Sequence, residues 1–495
     1  MHHLLVDRVI SAVIDGEPHV VNLPTLFASL TTDQLDAVPA LRPHQRAPWH
    51  ALTVQLAALA LLRAERADLP TTVGVWHDLL GALTPHCPTA WELVAPYNVP
   101  AFLQPPVGGE KPVSEWKVER TPDAIDVLVQ GKVHETKPGS ALTIRPDDWL
   151  FALVALQTTV GHLGALNKGI SRMNSGVGCR LFVGIDPDAH MRFGPRFRRD
   201  VLRLVVGEAL AVCRAIQPAL DFGGPALLWL KPWDGKSSLS LKGLHPLYIE
   251  TARRVRLDVV DGELIARRTG SKSLYIAAKR LRGLTGDPWA PTTIDDDGAK
   301  SLTPKALDYR TVANILLDPK FTPAPLQRIA PTDDGELMVD LAVLIRGQGK
   351  TNGFHHRRVP IPRPVRSLLV RRDEALARIA ETRIADIATI RKALWRALAV
   401  ARVGQAARRH VVDGWEADVD HSFFNDLWSE ASATDPKAIR GEWRKRLIDW
   451  AAGRLRQTID DTLRFSDERW RRRTLAERRF YSAVDDLGAA SNQAA

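Results

Sequence analysis

Gly164 to Gly178 reads GALNKGISRMNSGVG, and it holds four glycines, two asparagines, Lys168 and Arg172. On both sides the chain turns apolar: WLFALVALQTTVGHLG precedes it and CRLFVGI follows it. A polar loop clamped between a buried helix and a buried strand already implies a mixed α and β core. It is also the kind of segment in which backbone can approach a ligand closely. Asn and Gly tolerate left-handed angles, so successive N–H groups can converge on an anion, and Lys168 and Arg172 add charge. The loop reads as a phosphate or nucleic-acid contact. The alternative is an ordinary glycine-rich connection between a helix and a strand.

Upstream, two short apolar runs flank Asp15-Gly16 and predict a β-hairpin, with Leu23-Pro24 starting a short helix. HQRAPWHALTVQLAALALLRAE at 44–65 predicts a nearly buried helix with Pro48 at its start. His44, Gln45, Arg46 and His50 cluster at its front, where hydrogen bonding at a helix start competes with a catalytic reading. Residues 96–148 are irregular and rich in Pro and Gly. Asp126 to Val129 read as a strand end. Gly131 to Gly139 read as a loop carrying Lys132, His134 and Lys137, which also fits a solvated connection. Asp147-Asp148 then cap an apolar helix over 149–163.

Downstream, FGPRFRRDVLRLVVGEALAVCRAI predicts one basic helix, and ALLWLKPWDGKSSLSLKGLHPLYIE shows strand-like alternation. Arg253, Arg254 and Arg256 enter a second hairpin with Asp261-Gly262 at its turn. Lys272 and Lys279 follow on an expected strand. In LMVDLAVLIRGQGKTNGFHHRRVPIP, residues 337–362, a strand is expected to end at Ile345. The polar Arg346–Gly353 segment then protrudes, bearing Gln348, Gly349, Lys350, Thr351 and Asn352. Such side chains on a rigid tip can bond base edges or wedge into a stack. GQGKT lacks the spacing and following helix of a P-loop. From about 366, RSLLVRRDEALARIAETRIADIATIRKALWRALAVAR predicts one helix of roughly ten turns. Ile387, Ile390, Leu394 and Leu398 lie on one face of it. Three more amphipathic helices, near 416–433, 436–464 and 472–488, complete an all-α four-helix bundle. The arginines at 471, 472, 473, 478 and 479 read first as a solvated face. The expected class is therefore α+β: a mixed domain over 1–365 and a bundle over 366–495.

With 67 Lys and Arg against 57 Asp and Glu, the net charge of +10 favours a polyanionic partner modestly. Most of the fourteen tryptophans belong to the core on this reading. Cys87, Cys179 and Cys213 are scattered, with no metal spacing or disulfide framework, as in a reducing cytosol. No signal peptide or membrane span is expected. No HExxH, GxSxG or Walker pattern occurs. Asp420-His421 and His355-His356, the latter with no neighbouring acid in sequence, are the nearest approach to an HD or HNH nuclease.

Four segments in order resemble the large subunit (CasA family) of the type I-E CRISPR surveillance complex, Cascade. They are LRPHQRAPWHALTVQLAALAL at 41–61, QGKVHETKPG at 130–139, PDDWLFALVALQTTVGHLGALNKGISRMNSGVG at 146–178 and IRGQGKTNGFHHRRVPIP at 345–362. With the terminal bundle, the resemblance spans essentially the whole chain. It implies a non-catalytic, cytoplasmic subunit that reads the PAM in double-stranded target DNA from the minor groove and helps open it. Carried over residue by residue, Asn167, Lys168 and Gly169 form the glycine loop, with Arg172 and Asn174 in support. Lys272 or Lys279 is the lysine finger, and Gln348 to Asn352 form the wedge. Lys132, His134 and Lys137 match the loop that docks near the crRNA 5′ handle and its capping subunit. The bundle would meet the small subunits and the displaced strand, within a complex that also holds the backbone subunits and recruits a helicase-nuclease. Some members carry a cysteine-rich zinc segment near 235–275; here that region has no cysteine, so no metal and no cofactor is expected.

Overall fold

The computed structural model describes residues 2–108, 112–128, 144–162, 164–174, 180–293, 298–299, 307–347, 350–463 and 467–492. The loop with Lys132, His134 and Lys137, and the positions Gln348 and Gly349, lie outside the described residues. The chain clusters into two compact units, 1–306 with 320–358, and 307–319 with 359–495. The class is α+β: the first unit mixes helices with small sheets, and the second is helical.

The first unit is organised on two buried helices, Pro43–Arg63 and Pro146–Thr159, which pack against each other through a Trp49–Phe151 edge contact at 4.9 Å. The first of these starts at Pro43, so Pro48 sits inside it rather than at its start. The second has Asp148 accepting from the Arg145 N–H at 2.9 Å. Asp147 instead reaches the Ser11 N–H, 2.9 Å away in the first strand. Both Asp-Gly hairpins form, joining Ile10–Ile14 to Glu17–Val21 and Arg254–Val260 to Glu263–Thr269. All four turn residues have positive φ, the backbone that a two-residue turn matched to strand twist requires. His44 and Gln45 bond the buried Asp126 carboxylate, and His50 bonds Asp200 at 2.9 Å. The bonding reading therefore holds for His44, Gln45 and His50, while Arg46 lies over the Phe193 ring, and Asp126 is a buried acceptor rather than a strand residue.

Three local expectations change. The basic helix is two, Phe193–Val205 and Ala209–Ile216, broken around Gly207, where a Cβ would stand 2.7 Å from the Arg203 carbonyl oxygen. The 225–250 stretch and the Lys272–Lys279 segment are not strands. They meet neighbours through single bridges, Leu227 to Ile249 and Leu239 to Ile276. Their apolar alternation packs a small satellite core around Trp233, Tyr248 and Tyr275 instead.

In the helical unit the expected single long helix is broken. Arg363–Arg371 ends in Arg372 at φ 52°, and Glu374–Val400 restarts under an Asp373 cap. Ile387, Ile390, Leu394 and Leu398 are all fully buried, as their shared face predicts. Gln405–Ala431, Pro436–Thr462 and Arg469–Asn492 pack with Glu374–Val400 as four long helices. Among the described residues, no helix is long and apolar enough to cross a membrane.

Candidate nucleic-acid interface

The glycine loop is built from the end of the Pro146–Thr159 helix. Val160 leaves the helix, and the Arg253 guanidinium donates to the freed Gly161 carbonyl at 2.9 Å. Gly164 turns the chain at φ +84°, and the Ile170 N–H returns to the Val160 carbonyl at 3.0 Å. Gly169 is required by space: a Cβ there would stand 2.6 Å from the Gly161 carbonyl carbon. Ser171 anchors the far side, its N–H 2.9 Å from both oxygens of the buried Glu250, whose carboxyl burial pushes up.

Arg172 reads in the sequence as a ligand contact, but its side chain is buried. It donates to the Pro246 and Tyr248 carbonyls at 3.1 and 2.9 Å and lies 3.9 Å from the Tyr248 ring centre. An uncovered set of acceptors and an aromatic face drew it inward, so it shapes the loop from beneath. Asn167 is half-buried, and its N–H closes the turn onto the Gly164 carbonyl at 3.2 Å.

Across from the loop runs the 270–279 segment. It is laced to it by the Ser271 N–H on the Leu166 carbonyl at 2.8 Å and by Gly270, where a Cβ would meet the Leu166 Cβ at 2.7 Å. Between the two segments lies a cleft of about 520 Å³. Lys168, Gly169 and Asn174 line one wall, and Lys272 and Lys279 line the other. Both candidates for the lysine finger thus face the same space. Among the described residues no carboxylate lines the cleft, and none of its three lysines pairs with one. Converging, unneutralised cations over a concave apolar floor concentrate positive potential and favour an anion there.

Sequence reasoning missed His162, Ser238 and Ser273, which also line this cleft. His162 is visible in the sequence as a lone polar residue at the exit of an apolar helix. The two serines carry no signal, because only the tertiary fold brings 238 and 273 to the loop. Burial, then Lys168, Arg253 and Lys279, push the His162 pKa below its ordinary value.

The hairpin differs from its expected form. Its strands run Met338–Gly347 and Lys350–Pro360, so only positions 348 and 349 separate them, and Lys350, Thr351 and Asn352 belong to a strand backbone. Ladder pairing overrides the polar, glycine-punctuated composition that predicted a loop over Arg346–Gly353. The first strand pairs with Phe182–Asp186 through Met338–Ala342 only, leaving its last five residues, roughly 16 Å, beyond that partner. At the base, Asp340 accepts from Arg196 at 2.5 Å and from His356 at 2.6 Å, and Arg358 donates to Asp186 at 2.8 Å. Burial works to raise the Asp340 carboxyl, but Arg196 and His356 outweigh it and hold it well below the usual carboxylate range. His356 therefore does have a neighbouring acid, across the strands, and that acid is engaged by an arginine. Asp420 accepts the Tyr309 N–H. Among the described residues no three His, Cys, Asp or Glu side chains stand together as metal ligands would.

The fold is that of CRISPR-associated Cse1 proteins. Cse1 from Acidimicrobium ferrooxidans is similar with a TM-score of 0.68 at 15% identity, over 100% of this chain and 99% of that one. CasA (Cse1) from Thermus thermophilus matches at 0.65 and 14%, over 98% of this chain and 99% of its own. Cse1 from Thermobifida fusca matches at 0.66 and 15%, over 99% and 97%. No protein-family profile matches the chain, and no curated protein matches it in sequence.

Proposed function

We propose that this chain is the non-catalytic, cytoplasmic large subunit of a type I-E Cascade complex. On this reading the domain of residues 1–365 recognises the PAM in double-stranded DNA and helps unwind the target for R-loop formation. The bundle of residues 366–495 meets the small subunits. Lys132, His134 and Lys137 dock near the crRNA handle and its capping subunit, within a complex that also holds the backbone subunits, and the assembled surface recruits the helicase-nuclease.

The observation that carries the reading is the cleft in which Lys168, Gly169 and Asn174 face Lys272 and Lys279, with no carboxylate in its lining among the described residues, on a fold shared end to end with Cse1 proteins. Lysines there contribute salt-sensitive affinity for phosphate. Loop backbone and Asn174 reach base edges, where minor-groove readout is degenerate and suits a short, permissive motif. Arg172 and Ser171 hold the loop. A hairpin whose strands outrun their partner is a lever for parting base pairs, with Gln348 to Asn352 at its end. Base pairing to the guide reads the remaining sequence.

The test is target-duplex binding by the assembled complex across a salt series. Lys272→Ala with Lys279→Ala should weaken binding at least roughly tenfold and reduce the salt slope by about 2. Gln348→Ala with Lys350→Ala should impair strand opening, read by permanganate reactivity, with assembly intact. Duplex binding and opening unchanged in both double variants would overturn the assignment.

A further inference from the structure

His162 lies outside the residues assigned above, yet it stands in the wall of the same cleft, exposed, directly after the buried Gly161. Among the described residues of the lining, its ring is the group that can change charge near neutral pH. The charged groups acting on it come from three separate segments: Lys168 from the glycine loop, Arg253 from the chain entering the second hairpin, and Lys279 from the turn closing the opposite wall. All three are cations, and among the described residues no carboxylate acts on the ring to offset them.

We infer that His162 is a further contact residue of the Lys168–Lys272–Lys279 cleft, donating to a phosphate oxygen of bound DNA and taking up a proton as that phosphate arrives. The inference rests on the reading of the cleft as a DNA-phosphate site. In the free protein the surrounding cations oppose a charge on the imidazole. A phosphate in the cleft reverses the sign of the local field, because its negative charge stabilises the imidazolium and outweighs the more distant lysines. The ring then supplies a charge-assisted N–H donor that the free protein lacks. By linkage, a ligand that raises a site's proton affinity binds more tightly as the proton concentration rises. The cleft therefore holds DNA more tightly in mild acid than its fixed lysines alone would provide.

The test uses the assembled complex and a short fluorescein-labelled duplex carrying the flanking motif, with Kd measured by anisotropy at about pH 8 and about pH 6. The wild type should bind roughly three- to tenfold more tightly at the lower pH. His162→Gln keeps a hydrogen-bonding head without a titration. It should bind within about twofold of wild type at the higher pH and lose most of the gain at the lower one. Calorimetry in two buffers of different ionisation enthalpy should show proton uptake near pH 6.5 by wild type that is smaller in the variant. Equal pH gains in wild type and His162→Gln, with binding still dependent on Lys272 and Lys279, would overturn the role of His162 alone. Binding indifferent to Lys272→Ala and Lys279→Ala would overturn the reading of the cleft beneath it.

Discussion

Buried arginines that serve carbonyls alone separate the two units: the first holds three, beside carboxylate pairs such as Arg180 with Asp287 at 2.5 Å, whereas the buried arginine of the helical unit, among the described residues, meets a carboxylate. In the first, Arg256 is almost wholly buried and donates to five backbone carbonyls, those of Ala95, Pro96, Val99, Gln104 and Pro105, at 2.8–3.2 Å. Burial lowers its pKa to about 10. Arg172 and Arg253 likewise serve carbonyls. In the helical unit the buried Arg383 meets Glu430 at 2.6 Å, and the largely buried Arg444 meets Asp386 at 2.7 Å. The difference follows from the backbone. A helix consumes its own carbonyls, so a buried guanidinium must find a carboxylate on another helix. Irregular chain leaves carbonyls pointing inward, and each buried one needs a donor. Arginine, with five N–H groups in a plane, serves several at once.

The largest break in this comparison is expected at Arg256. Arg256→Met strands the carbonyls of the Pro-rich 95–105 segment and should cost on the order of 3–5 kcal/mol, with hydrogen exchange of that segment rising first. Urea unfolding within about 1 kcal/mol of wild type would contradict the clamp.

In the bundle, Glu430→Leu alone leaves Arg383 charged and unpaired beside the Trp443 ring, which its guanidinium approaches at 4.1 Å. It should cost about 3 kcal/mol, and adding Arg383→Met should recover most of that, because a well-packed apolar pair replaces a buried ion pair at little cost, while Arg440, which also meets Glu430 at 2.7 Å, is partly exposed and can turn to water. No recovery in the double variant would mean that the pair contributes more than its own compensation.

The smallest effect is in acid. His245 Nδ1 accepts the Leu247 N–H at 3.0 Å, and burial lowers its pKa to about 4. The unfolded chain titrates near 6.5, so below that pH the proton binds the unfolded state preferentially. The stability this neutral ring contributes is present above pH 6.5 and is lost as pH falls towards 4. Denaturant melts should show about 2 kcal/mol lost from this source between pH 7.5 and 5, and His245→Asn, which keeps an acceptor, should flatten the loss.

The sequence made some of this legible for local reasons. Asp15-Gly16 and Asp261-Gly262 specify their turns by themselves, and the Ile387–Leu398 stripe specifies its face. The break at Arg372 was hidden because neither Gly nor Pro marks it. The satellite core near Trp233 was hidden because its alternation serves packing rather than a ladder. The helix Tyr309–Leu317, which clusters with the helical unit, lies in sequence far from the other helices it joins. In the cleft, the glycine loop announced itself through composition. Its opposite wall did not, because Lys272 and Lys279 reach Lys168 only through the fold. Arg172 looked like a ligand contact because charge is visible in a sequence and the carbonyls that recruit it are not.

Gly164 and Gly169, two of the loop's four glycines, answer to different constraints, and this sets which letters each position can drift to. Gly164 needs its angle, while the space a Cβ would occupy is open to 4 Å, so an asparagine, which tolerates that angle, could stand there at slight cost. Gly169 needs its emptiness, and even one methyl group would collide with the chain it folds against. A lineage could respell the first and keep the cleft; respelling the second would force the loop off the Gly161–His162 backbone it folds against.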